Sequence, residues 1–157
     1  LRVIYLPEGL ERIETLAIFK LHERKDEWNT TPSLKSIYTY QGKDVISPNF
    51  TSAENLGKVY NSLPEGLKYI GSDAFSYNQS MTYMYIPESV THIGHHAFWD
   101  TCYKENGDIK GVSVINVAVS KNKFENEIEV GNNWNPQYDY LLFKKDIEIK
   151  YDCEREN

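Results

Sequence analysis

Three histidines fall close together, His92, His95 and His96, around Gly94. Imidazoles at such spacing are common ligands of zinc and other transition ions, so metal binding is the sharpest chemistry this stretch could perform. No nearby carboxylate completes a site, and the expectation is that no metal is held. Carboxylates recur at Glu8, Glu65 and Glu88, but they recur with the segment around them. They read as a ridge of solvated turn residues rather than an acid/base pair. Neither a nucleophile elbow nor a phosphate-cradling glycine loop is present. The chain is therefore not expected to be an enzyme or to carry a cofactor.

Cys102 and Cys153 match no metal-ligand spacing. A disulfide between them would tie the C-terminal segment to the last repeat, and two separate thiols fit the sequence equally well. Asn29-Thr30-Thr31, Asn49-Phe50-Thr51 and Asn78-Gln79-Ser80 fit the N-glycosylation sequon, which bears only on a eukaryotic source.

These residues must be positioned by a repeat. The run from Leu63-Pro64-Glu65-Gly66-Leu67 through Tyr69-Ile70-Gly71 to Ala74-Phe75 aligns without a gap on the run from Ile86-Pro87-Glu88-Ser89-Val90 through His92-Ile93-Gly94 to Ala97-Phe98. A more divergent copy runs from Leu6-Pro7-Glu8-Gly9-Leu10 through Ile13 and Ala17 to Ile18 and Phe19. Ahead of the prolines lies a spacing L-x-x-L-x-L: Leu1/Ile4/Leu6, Leu34/Ile37/Thr39, Leu56/Val59 followed late by Leu63, Met81/Met84/Ile86 and Val112/Ile115/Val117. In Met81–Ile86 the apolar residues alternate with Tyr83 and Tyr85, the period of a strand with one face buried. Proline ends the ladder because it has no N–H to give. Gly94 is expected to supply a turn with positive φ. One such coil cannot bury its own apolar face, whereas stacked coils can. A doubly wound sheet would need crossover helices for which these spacings leave little room.

The segment from Met81-x-x-Met84-x-Ile86-Pro87 to Ile93-Gly94-x-x-Ala97-Phe98, repeated at Leu63–Phe75 and in degraded form at Leu6–Phe19, resembles the BspA-type leucine-rich repeat. The resemblance implies an α/β-type, strand-rich solenoid of short parallel strands with turns or brief helices. About five irregular repeats are expected over residues 1–118, followed by a C-terminal capping segment over 119–157 with strand-like alternations such as Ile147/Ile149/Tyr151. It also implies a surface-exposed or secreted protein associated with adhesion and protein binding, and it supplies no catalytic residues. The polar stretches 21–32 and 103–110 read as loops leaving one edge.

Register then selects a candidate surface. If the first, fourth and sixth positions of each strand unit point inward, the third and fifth point outward. The fifth positions are Tyr5, Tyr38, Tyr60, Tyr85 and Asn116, and Tyr83 holds a third position. Tyr5, Tyr38, Tyr60, Tyr83 and Tyr85 thus form a candidate ligand-binding tyrosine ladder. Its partner would be a protein, of a host or the extracellular matrix, or a glycan. The plainer alternative is that the tyrosines pack on one another and the chain is a structural spacer of a larger surface protein.

The bulk composition agrees with these readings. With 157 residues, 40% of them hydrophobic and 13% aromatic, the chain can build a continuous core. A net charge of −6 gives no basic stripe for nucleic acid, and no run is apolar enough for membrane insertion. Because the chain starts at Leu1 inside a repeat, upstream sequence, including any signal peptide, is expected to be missing.

Overall fold

The computed structural model describes residues 3–18, 34–41, 59–136 and 147–156. Strand units form one wall of the molecule. β1 (Val3–Pro7) and β3 (Ser36–Tyr40) pair in parallel, Ile4 opposite Ile37 and Tyr5 opposite Tyr38. β6 (Met84–Ile86) and β10 (Val114–Val117) also pair in parallel, Met84 opposite Ile115 and Tyr85 opposite Asn116. The inward positions follow the expected spacing. Leu34, Ile37, Met81, Met84, Ile86, Val112, Ile115 and Val117 are all buried, while Leu1 and Leu56 lie outside the described residues. Thr39 holds an inward position with a polar side chain, and its hydroxyl donates to the Ser62 carbonyl at 2.7 Å, so the buried oxygen is satisfied.

The fourth strand departs from the expected parallel series. β4 (Val59–Tyr60) runs antiparallel to β3, Tyr60 opposite Thr39. The sequence differs here as well: Met84 and Ile86 are two apart, whereas Val59 and Leu63 are four apart. The two extra residues lie beyond the strand, since β4 spans only Val59–Tyr60 and ends before Leu63. The wall is thereby divided into a sheet β1-β3-β4 and a second sheet containing β6 and β10, bridged where the Leu63 amide donates to the Tyr85 carbonyl at 3.4 Å.

The return path of each coil makes its own ladder instead of plain turns. β2 (Arg12–Ile13), β5 (Tyr69–Ile70), β7 (His92–Ile93) and β11 (Glu129–Val130) form one four-stranded parallel sheet, with Ile13, Ile70, Ile93 and Val130 in register. Gly94 follows β7 but does not adopt a positive φ. Its hydrogen is needed for another reason. A Cβ there would lie 2.4 Å from the Ser72 amide nitrogen, and Gly71 and Gly131 approach Thr15 and His95 equally closely. The left-handed residue falls two positions later, at Leu16, Asp73, His96 and Asn133.

The core runs between the two ladders. Phe75 and Phe98 stack with centroids 5.3 Å apart and planes within 2°, and Trp134 meets Phe98 edge-on. Asn78 staples neighbouring coils, its buried amide donating to the carbonyls of Ile18 and Phe75 and accepting from the Leu34 amide. That engagement removes Asn78 as a glycan acceptor. The sequons at Asn29 and Asn49 lie outside the described residues.

Both ladders extend beyond residue 118. A hairpin of β8 (Cys102–Glu105) and β9 (Asp108–Gly111) turns at Asn106-Gly107, both at positive φ as a tight hairpin requires, and occupies the stretch expected to be a loop. Helix α1 (Lys121–Glu127), capped by Ser120 Oγ accepting from the Lys123 amide, buries Phe124 and leads into β11. β12 (Glu148–Lys150) then joins β10 in parallel, Ile149 opposite Ile115.

Candidate binding surface

On β1 and β3, period-two alternation leaves Val3, Tyr5 and Tyr38 on the outward face. Tyr5 is 43% exposed and Val3 is also exposed. The Tyr5 and Tyr38 rings stack at 5.4 Å with 24° between planes. This pair fulfils the register expectation for the first two rungs.

The remaining rungs differ from an exposed column. Tyr60 sits on the antiparallel β4 and so is out of step with Tyr38. Tyr85 is 4% exposed, buried rather than presented. Burial pushes its phenol above the ordinary range, with Glu65 adding to the effect. Tyr83 is half-buried, and loss of solvent, reinforced by Glu156, pushes its phenol up to about 12. The segment that follows β12 runs along the wall from Asn116 to Tyr60. The Asp152 and Cys153 amides donate to the carbonyls of Val119 and Val117, each at 3.0 Å. The Cys153 thiol lies 3.8 Å from Asn116 Oδ1. Further along, the Arg155 guanidinium lies 3.5 Å over the Tyr60 ring centroid and is ion-paired with Glu8, while the Asn61 amide donates to the Glu156 carbonyl at 3.0 Å.

The recurring carboxylates are not a uniform solvated ridge. Glu8 pairs with Arg155 through one oxygen and accepts the Glu65 amide through the other at 2.7 Å. Glu65 is half-buried, and desolvation raises its carboxyl, partly offset by Arg155. Glu88 alone of the three remains exposed, 3.7 Å from the Lys123 ammonium.

The histidines divide between two environments. His92 stacks on Tyr69 at 4.6 Å within 5° and meets Glu129 at 3.5 Å. His96 stacks between His95 and Trp99 and lies 3.7 Å from Asp73. Burial and the adjacent His95 lower its pKa, opposed by Asp73. Among the described residues no three His, Cys, Asp or Glu side chains are grouped to hold a metal ion. Cys102 and Cys153 are both free thiols, Cys102 buried with Sγ against the Pro136 carbonyl.

Among families of known proteins, the BspA type leucine rich repeat region matches residues 43–132 in six copies. The chain belongs to this family. No curated protein and no solved structure matches it. Repeats of this kind commonly serve protein interaction, and the BspA-type family is typical of bacterial surface or secreted proteins. No described helix is long and apolar enough to cross a membrane.

The BspA-type match reaches residue 132, and the structure shows why: Val130-Gly131 takes the places of Ile93-Gly94, and Trp134 stands where Ala97 does. Sequence reading missed this unit, although a β-branched residue followed by glycine was the available signal. It also missed the column Arg12, Tyr69, His92 and Glu129 on the second ladder. There the alignment of the two clearest repeats already superposes Tyr69 on His92. Arg155 carried no signal, because Glu8 is 147 residues away from it.

Proposed function

We propose that this BspA-type chain is a non-catalytic protein-binding module of the adhesion type, displayed at the cell surface or outside the cell, with the outward face of β1 and β3 as its contact surface. The observation that carries the reading is the exposed patch of Val3 and the stacked Tyr5–Tyr38 pair. Tyrosine offers a large apolar face and a hydroxyl at small entropic cost, and a stack holds both rings in place before a partner arrives. An aromatic patch at the sheet edge fits a protein surface better than a sugar ring, since Tyr5 already covers one face of Tyr38. The residues gathered there make stacking and ion-pair contacts, and none is arranged as a nucleophile with a base.

The test is binding to arrays of host and matrix proteins and of glycans, beside a Tyr5→Ser/Tyr38→Ser variant checked for folding by circular dichroism. Selective protein binding that the folded variant loses supports the reading. Binding to glycans alone moves it to a carbohydrate module. No binding by the parent chain, or equal binding by the variant, leaves the stack as packing and favours a spacer.

A further inference from the structure

The contact of the C-terminal segment with the strand face has the composition of a recognition site. A guanidinium is planar and permanently charged, and removing it from water costs several kcal/mol unless an aromatic face and a carboxylate replace the solvent. Arg155 has both, with the Tyr60 ring beneath it and Glu8 as its ion partner, and its side chain is only 14% exposed. Glu8 is itself held, since its other oxygen accepts the Glu65 amide. The main chain is fixed as well: Asn61, next to β4, receives Glu156 in an antiparallel bridge. An extended segment added beside a short strand, with one side chain in a pocket, is how many domains read peptides: main-chain bonds give affinity and the pocket gives selectivity.

We propose that Glu8, Tyr60 and Asn61 form an arginine-recognition site for an extended peptide of a partner protein, and that the chain's own Cys153–Glu156 segment occupies this site as a built-in competitor. The proposal rests on the reading of the strand face as a protein-binding surface and names the feature such a partner must offer. A lysine would reach Glu8 but could not lie flat on Tyr60, so the site selects arginine over lysine. The occupying segment also lies against Asn116 through Cys153. Its displacement therefore uncovers the outward face beyond the pocket.

The experiment uses the full chain and a synthetic labelled peptide with the sequence of residues 149–157, serine replacing Cys153, together with versions carrying alanine or lysine in place of Arg155. With the Arg155→Ala chain, the arginine peptide is expected to bind about tenfold more tightly than to the unsubstituted chain, and the alanine and lysine peptides about tenfold more weakly than the arginine peptide. Equal binding of the three peptides, equal binding by the two chains, or no detectable binding overturns the site. A second reading does not depend on how the variant folds. In the unsubstituted chain the Arg155 guanidinium resonances should be shifted upfield by the Tyr60 ring and should move toward their solvent positions as excess arginine peptide is added. Resonances that stay in place overturn the proposal. Array binding that depends on Tyr5 and Tyr38 while the peptides fail would sink the arginine site alone and leave the proposed function standing.

Discussion

Two outward columns run across neighbouring coils, and they differ in continuity. On the second ladder Arg12, Tyr69, His92 and Glu129 stand in unbroken parallel register. The Arg12 guanidinium lies over Tyr69, Tyr69 stacks on His92, and His92 faces Glu129. On the first wall Tyr5 and Tyr38 begin such a column, but the reversal of β4 ends it, and beyond that point a segment from the C-terminal region covers the face. The difference lies in the backbone beneath the side chains. Glycines at 71, 94 and 131 let successive second-ladder coils approach closely, whereas on the first wall β4 runs antiparallel to β3 and ends the parallel series. A continuous column stabilises the stack, and an interrupted one leaves surface that other groups can occupy.

If the regular ladder is the mechanical spine, the largest loss should come from its core. Phe98→Ala deletes a fully buried ring stacked on Phe75 and touching Trp134. About 3–5 kcal/mol of unfolding free energy should disappear, read by urea denaturation. A loss below about 1 kcal/mol would mean that the coils are not held by this stack. Gly94→Ala should follow at about 3 kcal/mol, since its new methyl would meet the backbone of Gly71 and Ser72 and one coil must move away from the next. The control is Gly107→Ala in the hairpin, where nothing lies within 4 Å and only the positive φ opposes the change. Its cost should be about 1 kcal/mol. Equal costs at the two glycines would erase the distinction between close approach and turn geometry.

The columns themselves can be compared by double-mutant cycles. Tyr69–His92, nearly coplanar at 4.6 Å, should couple by about 0.5–1 kcal/mol. Tyr5–Tyr38, wider and with Tyr5 exposed, should couple less. A larger coupling at Tyr5–Tyr38 would reverse the assignment and make the proposed contact surface the structural one.

Much of the repeat architecture was legible in the residues. The spacing from Met81 to Ile86 and from Val112 to Val117 placed the inward side chains correctly, because a period of two leaves a strand few alternatives. The Ile13, Ile70 and Ile93 alignment marked the return path, although its pairing into a ladder depends on neighbouring coils that local sequence does not name. Gly94 was recognised as special for the wrong reason, since close approach and positive φ select the same residue. The candidate surface was legible only as far as register held. Tyr5 and Tyr38 were placed, but Tyr85 is buried and Tyr60 is occupied by Arg155 from a segment far along the chain, and contacts of such long range leave no local periodicity.

The smallest expected effect concerns the left-handed turn position of the second ladder. His96 sits there at φ 56°, against His95, Trp99 and Asp73. Burial first, and then His95, lower its pKa from 6.5, so the folded chain holds this proton less tightly than the unfolded chain does. The stabilisation is therefore complete above the unfolded value and is lost as pH falls through it toward the lowered folded value. Denaturation midpoints at about pH 7.5 and about pH 6 should drop on acidification, and His96→Asn should reduce that drop. Asparagine suits the left-handed backbone, as Asn133 shows at the matching position of the next unit with φ 51°. Glu65, whose raised carboxyl favours the folded state at lower pH, acts in the opposite direction but equally in both chains. Comparing variant with parent removes it, and matching pH slopes would show that the charge state of His96 does not bear on how the coils stack.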